Sequence, residues 1–168
     1  DTGEDRYLDI IGATTAALFA AACRIAAVVA ERDEDVEQAL DAYGRNLGIA
    51  FQLVDDAIDY VSDEETMGKD VGDDFRDGKV TLPVILAYAR GSDEDKQFWR
   101  DAIEGRRISD DDLAHAKDLL IHHNTIADTM ARARHYGQRA IEALGPFAQS
   151  QAKTALTEAV ELAVARAF

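Results

Sequence analysis

Phe51-Gln52-Leu53-Val54-Asp55-Asp56-Ala57-Ile58-Asp59-Tyr60-Val61 decides how this chain is read. Upstream of it, Val36, Ala39, Leu40, Tyr43 and Leu47 continue into Phe51, Val54, Ile58 and Val61 in steps of three and four. That spacing predicts one long amphipathic helix starting near Asp33. Gln52, Asp55, Asp56 and Asp59 fall at the same kind of spacing beside it and form a polar stripe on one helix.

Outward from this helix the pattern stays helical. The 168 residues hold only two prolines, Pro83 and Pro146, and most segments between glycines repeat apolar residues at three and four. An all-α fold is predicted. A first helix is expected over Asp5 to Glu31, with Thr2 and Asp5 in capping-box spacing. Later helices are expected over Val84 to Arg90 after a Thr81-Leu82-Pro83 start, then Asp93 to Ile103, Asp110 to His122, Thr125 to Leu144 and Gln149 to Ala167. Ser92, Ser109 and Asn124 are the expected caps, and Gly145-Pro146 is a break. Ser62 to Val80 loses the periodicity, holds Gly68, Gly72 and Gly78, and reads as a functional loop.

Composition narrows the function. Eighteen basic against thirty-three acidic residues give a net charge of −15, which opposes nucleic acid and anionic membrane surfaces. The alanine-rich run Ile10 to Ala30 is interrupted by Gly12, Thr14, Thr15 and Arg24, so a buried helix is expected there and no transmembrane segment. Cys23 is the single cysteine; it permits no intrachain disulfide or Cys-based zinc site, and a reducing, cytoplasmic setting is expected. The chain opens Asp1-Thr2-Gly3 without methionine, which suggests a processed product or part of a longer reading frame.

From Asn46 to Gly68 the charged residues are Asp55, Asp56, Asp59, Asp63, Glu64 and Glu65, with no lysine or arginine among them. Like charges a helical turn apart repel, and acids near a helix C-terminus oppose its dipole. A hard divalent cation would neutralise them, since magnesium takes carboxylate oxygens together with water and substrate phosphates. A plain solvated acidic face explains the spacing equally well. The downstream Gly68-Lys69 and Gly78-Lys79 favour the site reading by supplying ammonium groups for phosphate oxygens. A calcium hand beginning at Asp73 fails, because Phe75 and Val84 would fall at ligand positions. His115, His122 and His123 lack the spacing of a metal pair.

Phe51 to Tyr60, followed by Gly68-Lys69-Asp70-Val71-Gly72-Asp73-Asp74-Phe75-Arg76-Asp77-Gly78-Lys79-Val80-Thr81-Leu82-Pro83, resembles the second aspartate-rich region of the trans-polyprenyl diphosphate synthases. Tyr7 to Ile11 and Thr15 to Phe19 resemble that family's helix bearing a lysine-threonine pair, with Thr14 where the lysine normally stands. The wording is most similar to bacterial octaprenyl and decaprenyl synthases. The resemblance implies an isoprenoid-synthase helical fold in which residues 1–168 are the C-terminal part of one polyprenyl synthetase domain, lacking the first aspartate-rich motif. It implies Mg2+ at Asp55, Asp56 and Asp59. Lys69 then acts with them on the diphosphate, and Thr15, Gln52, Asp73 and Lys79 serve as further substrate contacts. The implied activity is condensation of isopentenyl diphosphate with an allylic prenyl diphosphate by a homodimer, with the present chain inactive by itself. Phe19, Phe51 and Ile58 are candidates for the wall of a product tunnel, although ordinary core packing accounts for each. The rival reading is a non-catalytic helical subunit that partners an active synthase, which Thr14 favours.

Overall fold

The computed structural model describes residues 3–61, 72–105 and 109–166. These residues form helices and connections without a strand. In chain order they are α1 (Glu4–Ala13), α2 (Thr15–Val29), α3 (Glu34–Val61), α4 (Asp73–Arg76), α5 (Leu82–Arg90), α6 (Asp93–Gly105), α7 (Asp110–His122), α8 (Thr125–Ala143) and α9 (Gln151–Ala165).

The long helix of the sequence reading is α3, started by the Asp33 carboxylate accepting from the Val36 amide at 3.0 Å. Ser109 caps α7 in a reciprocal box with Asp112, and Ser92 and Asp95 exchange the same pair of bonds ahead of α6. The run Ile10 to Ala30, expected as a buried helix, buries only Ala16, Ala20 and Ala27 of α2 and leaves Leu18, Ile25, Val28 and Val29 exposed, because its alanines rather than its larger side chains face α3. Of the expected loop Ser62 to Val80, residues 62–71 lie outside the described residues and Asp73–Arg76 form α4. Two further expectations change. The single first helix is broken at Thr14, whose φ of −110° and ψ of −95° leave the helical region while its hydroxyl bonds back to the Ile10 carbonyl at 2.8 Å. The second change is at Asn124, which supplies a left-handed turn with φ 54° rather than a side-chain cap. Thr2 of the expected first capping box lies outside the described residues.

Contacts divide the chain into two compact units. One holds Tyr7 and the residues before it together with residues 55–130. Its core joins Tyr60, Phe75, Val84, Ala87, Trp99, Leu113, Ala116 and Leu120. Trp99, isolated among charged residues in the sequence, is a buried anchor there: its ring meets Phe75 edge-on at 5.9 Å and Phe98 at 5.3 Å.

The other unit holds residues 8–54 and 131–166. Tyr43, Ala140, Leu144 and Val160 form a core there, and the Tyr43 hydroxyl donates to the Leu156 carbonyl at 2.9 Å. Within this unit α2 and α3 touch backbone to backbone. A Cβ on Gly44 would sit 2.4 Å from the Phe19 carbonyl oxygen, and one on Gly48 would sit 2.7 Å from the Ala16 Cα. Ala16 and Ala20 on α2 are fully buried opposite them. Small residues four apart on both helices are what permits this approach, a use of the alanine-rich run that the sequence allows without specifying.

Candidate metal and diphosphate site

The three aspartates of α3 differ in burial. Asp55 and Asp59 are partly exposed, one turn apart on the same side of the helix, whereas Asp56 is completely buried. A buried carboxylate is costly unless it is paired and hydrogen-bonded. Asp56 meets that requirement twice. Its Oδ2 accepts from the Tyr7 hydroxyl, and its Oδ1 faces the Lys79 Nζ at 3.6 Å. Burial raises the Tyr7 phenol far above its ordinary range and the Asp56 charge adds to this, so Tyr7 is the donor.

Asp59 is bound to the turn that follows the helix. Its backbone carbonyl accepts from the Gly72 amide at 2.9 Å and its carboxylate from the Asp74 amide at 3.2 Å. Burial, followed by the negative charge of Asp74, pushes the Asp59 carboxyl up to about 6; the Asp74 amide pulls the other way without cancelling them.

The turn is built to present Lys79 to this group. Phe75 of α4 is buried in the aromatic core and pins the middle of the turn. Gly72 enters it at φ 82°, where an added Cβ would also overlap Leu113 Cδ1 at 2.4 Å, and Gly78 leaves at φ 70°. Lys79 then reaches the Asp74 carboxylate at 2.9 Å as well as Asp56. Burial lowers the affinity of the ammonium for its proton, yet the hydrogen bond to Asp74 and the charges of Asp56, Asp74 and Asp55 outweigh it, and Lys79 stays charged above the usual lysine range. Asp74, rather than Asp73, makes the contact to Lys79, and Asp73 is exposed.

Among the described residues no three His, Cys, Asp or Glu side chains are grouped closely enough to enclose a metal. The donors present are carboxylate oxygens on one helix, Asp55 and Asp59, with the Asp59 carboxyl raised by burial and then by the negative charge of Asp74. Such a partial oxygen set suits a hard cation that completes its shell with water and phosphate, and it suits zinc or a soft metal poorly.

In the other unit the Thr15 hydroxyl donates to the Gln52 side-chain oxygen at 2.9 Å across the α2–α3 contact, which brings two expected substrate contacts together. Phe19 and Phe51 also meet there, with ring centroids 5.6 Å apart, and Ile58 is buried. Lys69 lies outside the described residues. Tyr7 is the site residue that sequence spacing misses: it stands 49 positions from Asp56, and no local pattern links them.

The all-α architecture is that of the isoprenoid-synthase fold, shared with solved polyprenyl synthases. A sequence model of the polyprenyl synthetase family matches residues 1–120, and the chain belongs to that family. It is 38% identical over 170 residues to an octaprenyl diphosphate synthase of Haemophilus influenzae, covering 100% of this chain and 51% of that protein. Its structure is similar to a polyprenyl synthase from Caulobacter crescentus complexed with calcium and isoprenyl diphosphate, at TM-score 0.94 and 43% identity, covering 100% of this chain and 51% of that one. A decaprenyl diphosphate synthase from Rhodobacter capsulatus matches at TM-score 0.92 and 39% identity, over 99% of this chain and 51% of that one. The chain thus spans about half the length of these relatives, corresponding to their C-terminal part.

Proposed function

We propose that this chain supplies one wall of a trans-prenyltransferase site, in which isopentenyl diphosphate condenses with an allylic diphosphate to give a long all-trans product. The observation that carries this reading is the Phe75-anchored turn, which places the Lys79 ammonium 3.6 Å from Asp56 of α3 and 2.9 Å from Asp74. Asp55 and Asp59 would hold a divalent cation, Mg2+ in the cell, which when bound would supply positive charge to the leaving diphosphate. Lys79, with Lys69, binds the same oxygens directly. As the allylic carbon–oxygen bond breaks, its electron pair leaves with the diphosphate; the isopentenyl double bond then attacks the allylic carbon, and a proton is lost to restore an alkene. Apolar side chains such as Phe19, Phe51 and Ile58 keep water from the carbocation. Thr15 and Gln52 orient substrate.

This is the C-terminal part of a single polyprenyl synthetase domain, the facing wall comes from a preceding half, and the chain alone does not turn over. The working enzyme is a cytoplasmic homodimer; among the described residues no single helix is long and apolar enough to cross a membrane. One observation favours a non-catalytic partner subunit instead. Thr14 stands at the lysine position of the resemblance, and its hydroxyl is engaged by the Ile10 carbonyl. Magnesium-dependent transfer of isopentenyl diphosphate onto farnesyl diphosphate by the full-length protein, with product length read by chromatography, decides between them. A long all-trans product supports the enzyme. A folded protein that transfers nothing onto several allylic primers supports the subunit.

A further inference from the structure

In the proposed function Asp56 has no task of its own. It belongs to the acidic stripe by sequence, yet it is completely buried, and both of its oxygens are engaged on the protein side, Oδ2 by the Tyr7 hydroxyl and Oδ1 by the Lys79 ammonium. We infer that Tyr7 is a positioning residue that acts through Asp56 to hold the Lys79 ammonium in place for a diphosphate oxygen, and that Asp56 serves as this bracket rather than as a metal ligand. The inference rests on the diphosphate reading above.

A lysine ammonium is a point charge on a flexible four-carbon stem, so it is placed only by what it touches. Lys79 touches two carboxylates. Asp74 belongs to the turn, while Asp56 belongs to the buried face of α3 and is the fixed partner. Asp56 can stay both buried and only 3.6 Å from Lys79 because Tyr7, itself 5% exposed, satisfies its other oxygen. Without that hydroxyl the buried charge is under-satisfied. It then draws Lys79 inward, away from Asp74 and from any phosphate bound over the turn.

The test uses the full-length protein and binding rather than turnover: Mn2+ affinity by electron paramagnetic resonance, and inorganic diphosphate affinity in the presence of Mn2+ by calorimetry. Tyr7→Phe is expected to weaken diphosphate about tenfold and leave Mn2+ affinity within about twofold. Asp56→Asn should behave the same way, whereas Asp55→Asn should lose Mn2+. In a Lys79→Met background, Tyr7→Phe should have no further effect, a coupling that a merely structural hydroxyl would not show. The inference is overturned if Asp56→Asn loses Mn2+ as Asp55→Asn does, if Tyr7→Phe binds diphosphate like the parent, or if its effect persists without Lys79. Absence of Mn2+-dependent diphosphate binding by the parent protein overturns the diphosphate reading itself, and the inference with it. If Tyr7→Phe does not fold, as judged by circular dichroism, Asp56→Asn and its Lys79→Met double variant carry the same comparison.

Discussion

Replacing Gly44 with alanine separates two effects of opposite sign. In a helix interior alanine is favoured over glycine by up to about 1 kcal/mol, so propensity alone predicts a more stable protein. The contact between α2 and α3 predicts the reverse. The added Cβ would stand 2.4 Å from the Phe19 carbonyl oxygen and 2.8 Å from the Ala20 Cα, against about 3.5 Å or more for ordinary carbon contacts. Both neighbours are backbone, so no rotamer change relieves the overlap and α2 must retreat by about 1 Å. Overpacking of this kind costs about 3 kcal/mol at the upper end of its usual range, leaving a net loss of about 2 kcal/mol and a melting temperature lower by about 4–8 °C. The retreat also stretches the Thr15–Gln52 hydrogen bond, 2.9 Å in the native structure, beyond bonding distance. Equilibrium urea unfolding measures the first effect. Gly48→Ala, 2.7 Å from the Ala16 Cα, should lose less. Gly12→Ala in α1, where an added Cβ meets nothing within 4 Å, should be neutral or stabilised by up to about 1 kcal/mol. A Gly44→Ala protein as stable as its parent would refute the close backbone contact as the reason for glycine there.

Asp55→Asn in the full-length protein should reduce magnesium-dependent turnover at least tenfold through weaker metal binding, and unchanged activity would remove Asp55 from the site. Divalent-cation affinity, followed by Mn2+ titration, should rise with pH through about 6, because the Asp59 proton competes with the metal below that value. Stability without metal runs the other way. A carboxyl raised from its ordinary 3.8 to about 6 favours the folded state when protonated, so its contribution is present below about pH 4 and is lost as pH rises to about 6. Thermal melts in chelator should show this decline, and saturating Mn2+ should reduce it. Phe75→Ala, which empties the fully buried anchor of the turn, should cost about 3–5 kcal/mol in urea unfolding, and a loss under 1 kcal/mol would mean that the turn is held by other contacts.

The helices were largely legible because their signals are local. The stripe through Val54 and Ile58 predicts α3 almost to the residue, and Ser109 with Asp112 announces α7 by the capping chemistry that the structure contains. The reading failed where a side-chain bond was added to the helical ladder. The run from Asp5 to Glu31 reads as one helix, yet the Ile10 carbonyl accepts from the Thr14 hydroxyl as well as from the Thr14 amide, and the helix bends by 40° there. The turn was legible as polar and glycine-rich, since Gly72 and Gly78 are needed at positive φ. That Phe75 anchors it was not, because a lone aromatic among acids shows its partner only once α6 packs against it.

The stripe Gln52, Asp55, Asp56, Asp59 groups the three aspartates as equals, but a second series runs through the same helix. Leu53, Asp56, Ala57 and Tyr60 have the identical spacing, and all four are buried. Asp56 belongs to both series, and at 100° per residue it stands apart from Asp55 and Asp59, which lie within about 40° of each other. An aspartate in register with a buried apolar face either finds internal partners or destabilises the helix that carries it, and Tyr7 and Lys79 are those partners. The three carboxylates therefore differ by direction: Asp55 and Asp59, one turn apart, are partly exposed and on the proposed reading would face a cation, while Asp56 between them is held by the protein's own Tyr7 and Lys79.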